Sequence, residues 1–126
     1  MTDTIADMLT RIRNAQMVNH RTVEIPYSNV KFEVAKQLKS KKFISAVEKI
    51  EEGKFPVIRI VLIKDRIKGI QRVSSPGQRI YQGANELDTR FKNGRGVVIV
   101  STSKGILDSR EARQRKLGGE VVCRVW

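Results

Sequence analysis

Ser101-Thr102-Ser103-Lys104-Gly105 gathers three hydroxyls, one ammonium and a glycine in consecutive positions. Small hydroxyls donate and accept hydrogen bonds at close approach, lysine adds a point charge, and glycine lets backbone N–H groups come near a ligand. Such a stretch suits phosphate oxygens or base edges. It lacks the Gly-x-x-x-x-Gly-Lys-[Ser/Thr] spacing of a phosphate-binding loop, the nearby glycines being Gly94, Gly96 and Gly105, so nucleotide hydrolysis is not expected. The same residues would also serve as an ordinary strand-to-helix turn. Charge favours binding: between Asp88 and Asp108 the chain carries Arg90, Lys92, Arg95 and Lys104 and no acid. A second acid-free stretch, Arg66 to Asn85, holds Arg66, Lys68, Arg72, Arg79 and Tyr81. A tyrosine there can stack on a base while arginines neutralise phosphates, and it can equally be half-buried core.

Groups for catalysis are few. An enzyme needs a nucleophile and base, paired carboxylates or a metal, converging with tuned pKa values. His20 sits in Asn19-His20-Arg21, where a solvated connection residue is the expected reading. Cys123 falls in an alternating run with Val121 and Val125 on its face, which reads as a buried small hydrophobe. One cysteine allows no internal disulfide, and with one histidine it cannot complete a zinc site, so no cofactor or metal is expected. The basic run Arg110, Arg113, Arg115 and Lys116 shows backbone attraction at most, and Lys31, Lys36, Lys39, Lys41 and Lys42 make a weaker second surface.

The elements that position these residues follow from patterning. The chain has 126 residues with 40% hydrophobic and 30% charged, enough to fold one ordinary domain or two very small ones. Lys and Arg number 25 against 13 acids, a net charge of +12 whose expected partner is nucleic acid, and the C-terminal half is the more basic. The apolar runs Ile60–Ile63 and Val97–Val100 are far shorter than the roughly 18 residues of a membrane helix. The opening residues resemble no export signal, so a cytoplasmic protein without a membrane or small-molecule partner is expected.

Ile5, Met8, Leu9 and Ile12 have helical spacing, and Thr4 with Asp7 reads as a capping box for a helix over 4–17. A short strand at Val23 and Ile25 stops at Pro26, and Ser28 caps a second helix ending near Lys41. Strands are expected at Phe43–Lys49 and Val57–Ile63, giving αβαββ over residues 1–65. Residues 66–126 read as mostly β with a short helix: a hairpin of Ile70–Ser74 and Arg79–Gln82 around Ser75-Pro76-Gly77-Gln78, and weak helical signal over 84–91. Then follow a turn at Asn93-Gly94-Arg95-Gly96, a buried strand Val97–Ser101, a helix capped by Asp108 or Ser109 and ending at Gly118-Gly119, and a last strand Glu120–Trp126. The class is α+β with two small subdomains.

Four blocks are more specific: Ile5-Ala-Asp-Met-Leu-Thr-Arg-Ile-Arg-Asn-Ala15, Arg72-Val-Ser-Ser-Pro-Gly-Gln-Arg-Ile-Tyr81, Gly96-Val-Val-Ile-Val-Ser-Thr-Ser-Lys-Gly105 and Gly118-Gly-Glu-Val-Val-Cys123. Together, and in this order, they resemble the family of bacterial small-subunit ribosomal protein eight. The resemblance implies a non-enzymatic protein that binds an irregular stem in the central domain of small-subunit ribosomal RNA through its C-terminal domain and supports subunit assembly. It implies an RNA-binding surface of Ser101, Thr102, Ser103, Lys104 and Gly105 with Tyr81, Gly118, Gly119 and Glu120, to which Arg79 and Arg110 add charge. A weaker contact is implied from the N-terminal domain, where Arg13, Asn14 and Lys31 are the candidates. The fifth and twelfth small-subunit proteins are implied as neighbours. Repression of the chain's own operon through a messenger stem, and non-specific architectural binding, are the alternatives. Gln82 to Asn85, Arg95 and Arg124 depart from the family's usual residues.

Overall fold

Helix α1 (Thr4–Met17) opens the computed structural model of this chain, in which residues 3–87 and 96–126 are described. Its N-cap is Asp3, whose carboxylate accepts the Ala6 N–H at 3.1 Å, rather than Thr4. Asp7 instead pairs with Arg11 one turn on, at 3.1 Å, and so does not close a capping box. Strand β1 (Thr22–Pro26) leads to α2 (Asn29–Ser40), capped by Ser28 as expected, then β2 (Ile44–Ile50) and β3 (Val57–Leu62). These strands form an antiparallel sheet in the order β1-β3-β2. Ile25, Ile58 and Ile60 face inward against Met8, Leu9 and Ile12 of α1 and Val34, Ala35 and Leu38 of α2. Arg59 on the outer face lies 3.0 Å from Glu24 and 3.7 Å from Glu48.

A second sheet holds β4 (Ile70–Arg72), β5 (Tyr81–Gln82), β6 (Val97–Thr102), β7 (Gly105–Asp108) and β8 (Gly119–Val125), with α3 (Ser109–Gln114) on one side. Its order is β4-β8-β6-β7, with β5 also on β8, so β8 is the common neighbour of three strands. The α+β class is borne out, with helices and strands in the N-terminal part and a strand-rich C-terminal part with a short helix.

Four local expectations need correction. The segments at 70–74 and 79–82 do not pair as a hairpin: Ile70 opposes Val125 and Tyr81 opposes Glu120, so both run along β8 as one interrupted strand. The turn itself forms, with Ser75 and Gln78 exchanging backbone hydrogen bonds of 3.0 and 3.1 Å. The Ser101–Gly105 stretch is not a strand-to-helix connection, because β7 intervenes and makes it a β-hairpin. Helix α3 ends at Gln114, where Lys116 takes a left-handed conformation (φ 58°), and the two glycines lie beyond it. Cys123 shares its core with Val125 but not with Val121. Ile99 opposes Cys123 while Val100 opposes Val121, so Val122 is an extra residue that reverses the alternation. The turn expected at 93–96 and the end of the weak helical segment fall mostly in residues 88–95, outside the described residues.

One core joins the halves. Ile5, Leu9, Leu38 and Phe43 belong to the same apolar cluster as Ile70, Ile99, Ile106, Val122 and Cys123. A second cluster of Leu87, Val98, Val100, Leu107, Ala112 and Val121 lies on the α3 side of the second sheet. Polar ties cross the same boundary: Asp3 to Arg72 at 3.1 Å, Lys41 to Asp108 at 3.1 Å, Gln37 Nε2 to the Ile106 carbonyl at 3.0 Å, and Arg13 to the Ile70 carbonyl.

Candidate nucleic-acid interface

The end of the second sheet brings together residues far apart in sequence. Ser101 on β6 opposes Glu120 on β8, and Glu120 opposes Tyr81 on β5, so these three side chains share one face in a single row. The next row, Thr102–Gly119–Gln82, points to the other face. Beyond both rows the β6–β7 turn projects Ser103 and Lys104 into solvent. Thr102 builds that turn: its Oγ1 donates to the Gly105 carbonyl at 2.8 Å and accepts the Lys104 N–H at 3.1 Å. Its proton is therefore committed, and the Ser101 and Ser103 hydroxyls are the ones left to a ligand. Gly105 supports the turn with φ at 111°, which side-chain-bearing residues rarely adopt.

Arg79 lies 3.0 Å from Glu120, whose side chain is mostly buried, so the carboxylate holds a guanidinium over this row. Tyr81 is 69% exposed, which removes the half-buried-core reading of its ring. The tandem glycines permit the close approach of strands. A Cβ at Gly119 would fall 2.1 Å from the Ser101 carbonyl oxygen, and one at Gly118 would fall 2.6 Å from that of Gln82.

The remaining candidates lie elsewhere. Arg110 follows β7, whose length puts it roughly 13 Å of strand from the turn. On α1, Asn14 is exposed and Arg13 is tied to β4 by its bond to the Ile70 carbonyl. Lys31 is 5% exposed on α2, and burial, with the Arg11 charge, outweighs Asp7 to lower its pKa. Arg124 stands at the opposite end of β8, half-buried, with no hydrogen-bond partner for Nε among the described residues. Arg95 is outside the described residues.

Ser74 escapes a reading of the sequence for function. It is fully buried, and its Oγ accepts the Ile80 N–H at 2.7 Å and donates to the Ile80 carbonyl at 3.3 Å, closing the 75–79 excursion that presents Arg79. The available signal was a hydroxyl one residue before Ser75-Pro76-Gly77, where short polar side chains bond nearby backbone. Among the described residues no cluster of three metal-ligating side chains occurs, and burial pushes the Cys123 thiol up to about 12.

A sequence profile described as ribosomal protein S8 matches residues 3–126. The chain belongs to the ribosomal protein S8 family. Among its relatives, the small ribosomal subunit protein uS8 of Staphylococcus epidermidis strain ATCC 35984 is 49% identical, over all of this chain and 98% of that protein. The proteins of the same name from Staphylococcus haemolyticus strain JCSC1435 and Staphylococcus aureus strain JH9 are 48% and 47% identical over the same shares. All four blocks that carried the resemblance lie within the span matched to the S8 family, and three of them contribute to the row and turn just described.

Proposed function

We propose that this chain is a structural protein of the small ribosomal subunit that binds an irregular stem in the central domain of small-subunit ribosomal RNA and supports assembly of the particle. The observation that carries this reading is the convergence of Ser101, Ser103, Lys104, Tyr81, Arg79 and Glu120 at one end of one sheet. A-form RNA has a deep, narrow major groove, so specificity comes from unstacked bases and minor-groove shape. Short hydroxyls on a rigid turn reach base edges and 2′-hydroxyls where a long side chain would not enter. Tyr81 offers a stacking face, and Lys104 and Arg79 attract the backbone. No step of this task needs a catalytic group, a metal or a small molecule. The reading places the chain in the cytoplasm, with the fifth and twelfth small-subunit proteins as neighbours.

The test is a salt-titrated binding assay with the irregular stem and a fully paired duplex of equal length. The irregular stem should bind tightly at about physiological salt with the duplex at least about 10³-fold weaker. Ser103→Ala should narrow that ratio. Arg110→Ala, remote from the turn, should weaken both RNAs alike and reduce the salt slope. Equal and steeply salt-dependent binding of both RNAs by the wild type would leave only a basic surface and overturn the reading.

A further inference from the structure

Cations gather at a second place, away from the β6–β7 turn. The last turns of α2 lie along β7, tied by Gln37 to the Ile106 carbonyl at 3.0 Å and by Lys41 to Asp108 at 3.1 Å. Asp108 is the end of β7 opposite the turn, so the chain leaving α2 emerges at that far end. Ile44 opposes Leu62, and therefore Lys42, two residues before β2, and Lys64, two residues after β3, leave the first sheet at one end.

Arg66 closes the group. Its Nε donates to the Lys42 carbonyl at 3.1 Å, and its guanidinium lies 4.0 Å over the ring of Phe43, which is 2% exposed. Lys42 ends the helix in a left-handed conformation (φ 64°), so its carbonyl is outside the helical ladder and open to Arg66. The ring beneath and the carbonyl at Nε hold the guanidinium in place, while Nη1 and Nη2 meet no acceptor among the described residues. A fixed fork with open Nη donors matches an oxyanion in the bidentate manner.

Other charges of this region have their own partners. Lys39 stands in the last turn of α2, where it complements the helix dipole, and Lys41 is paired with Asp108. Lys42 and Lys64 are exposed, and neither has an ion pair among the described residues. Asp65, next in sequence to Lys64 and Arg66, lines the cleft at the end of α1 with Arg13 and Lys68, a cleft that Lys42, Lys64 and Arg66 do not border.

We infer that Lys42, Lys64 and Arg66 hold phosphates of the RNA backbone outside the stretch read by the turn. Arg66 takes one phosphate through its two Nη groups, and the lysines hold the phosphates beside it. The inference rests on the reading that RNA is the partner, but uses none of the turn residues. Strand β7 spans only about 13 Å, less than the diameter of a nucleic-acid duplex, so a helix seated on the turn brings its backbone within reach of the far end.

The test compares two RNAs with the full chain: the irregular stem cut close to its irregularity, and the same stem lengthened by one helical turn at each end. Each is titrated from about 50 to 200 mM salt. The longer RNA should bind about tenfold more tightly, with log K falling more steeply against log salt by about 2 to 3, since each phosphate neutralised contributes about 0.9. Arg66→Lys keeps the charge and an aliphatic stem over Phe43 but loses the fork, and should cut the gain about threefold with the urea midpoint unchanged. Lys42→Gln and Lys64→Gln, at exposed positions, should each flatten the slope of the longer RNA by about 1. None of the three should change binding of the short stem, whereas Ser103→Ala should weaken the short stem and keep the gain on lengthening. The inference is overturned if lengthening brings no gain, if the gain is undiminished in the combined triple variant, or if these substitutions weaken the short stem as much as the long one. A short stem still preferred over a fully paired duplex would then remove this contact alone. Loss of that preference removes the RNA reading of the turn, while the gain on lengthening still reports on the three cations.

Discussion

Thr102 Oγ1 holds two backbone groups of its own turn while Ser103 stands exposed beside it, so substitutions at these neighbours separate turn geometry from RNA contact. Thr102→Val is expected to cost about 0.5–1.5 kcal/mol per bond lost, measured by urea unfolding, whereas Ser103→Ala should stay within about 0.5 kcal/mol. A stability loss at Ser103 equal to that at Thr102 would contradict the division of roles. Glycines divide likewise. Gly119→Ala drives a Cβ into backbone and must part β6 from β8, so both stability and RNA binding should fall. Gly105→Ala meets open space and should cost only the strain of its positive φ, about 1–3 kcal/mol. Cys123, with its thiol pushed up to about 12 by burial, should resist alkylation at pH 8 until the protein unfolds. Rapid labelling of the native protein would show that the strand opens locally.

Among the elements, the 75–79 excursion hangs on one hydroxyl. Ser74→Ala should cost about 1–3 kcal/mol by stranding the Ile80 N–H, and amide exchange at Ile80 should accelerate most. Unchanged protection there would mean that the turn holds itself. The turn was legible in Ser75-Pro76-Gly77-Gln78 because its chemistry is local, but the partner of its flanks was not, since pairing with β8 is decided about 40 to 55 residues away. The helices α1 and α2 were legible for the same local reason. Strand β7 was hidden because four residues between a tight turn and a helix cap carry too short a pattern to display a period. This omission also made Arg110 look adjacent to the Ser101–Gly105 stretch. The row Ser101–Glu120–Tyr81 was half legible: the residues stood out by type, while the exposure of Tyr81 and the Arg79–Glu120 pair depended on the register of three strands.

Across the whole molecule, the shared apolar cluster predicts that both halves unfold together, with Trp126 fluorescence and far-ultraviolet circular dichroism giving coincident urea transitions. Separate midpoints would mean that the halves are energetically independent. The tie between Asp3 and Arg72 adds a pH dependence. Burial raises the Asp3 carboxyl, but the Arg72 hydrogen bond and charge and the backbone N–H groups of Ala6 and Ile5 outweigh it, so its folded pKa lies below the ordinary 3.8. Its stabilisation is complete above 3.8 and is lost as pH falls through the lower folded value. Asp3→Asn should be less stable at neutral pH and less sensitive to acid, read from the urea midpoint at each pH. Finally, β4, β5 and β6 all take β8 as their neighbour. During synthesis these three strands leave the translating ribosome before the strand that joins them, so the sheet closes only when residues 119–125 emerge. Until then their unpaired edges are exposed to other chains, and a pause in translation just ahead of Gly119 would prolong the interval in which the nascent protein is most prone to mispair.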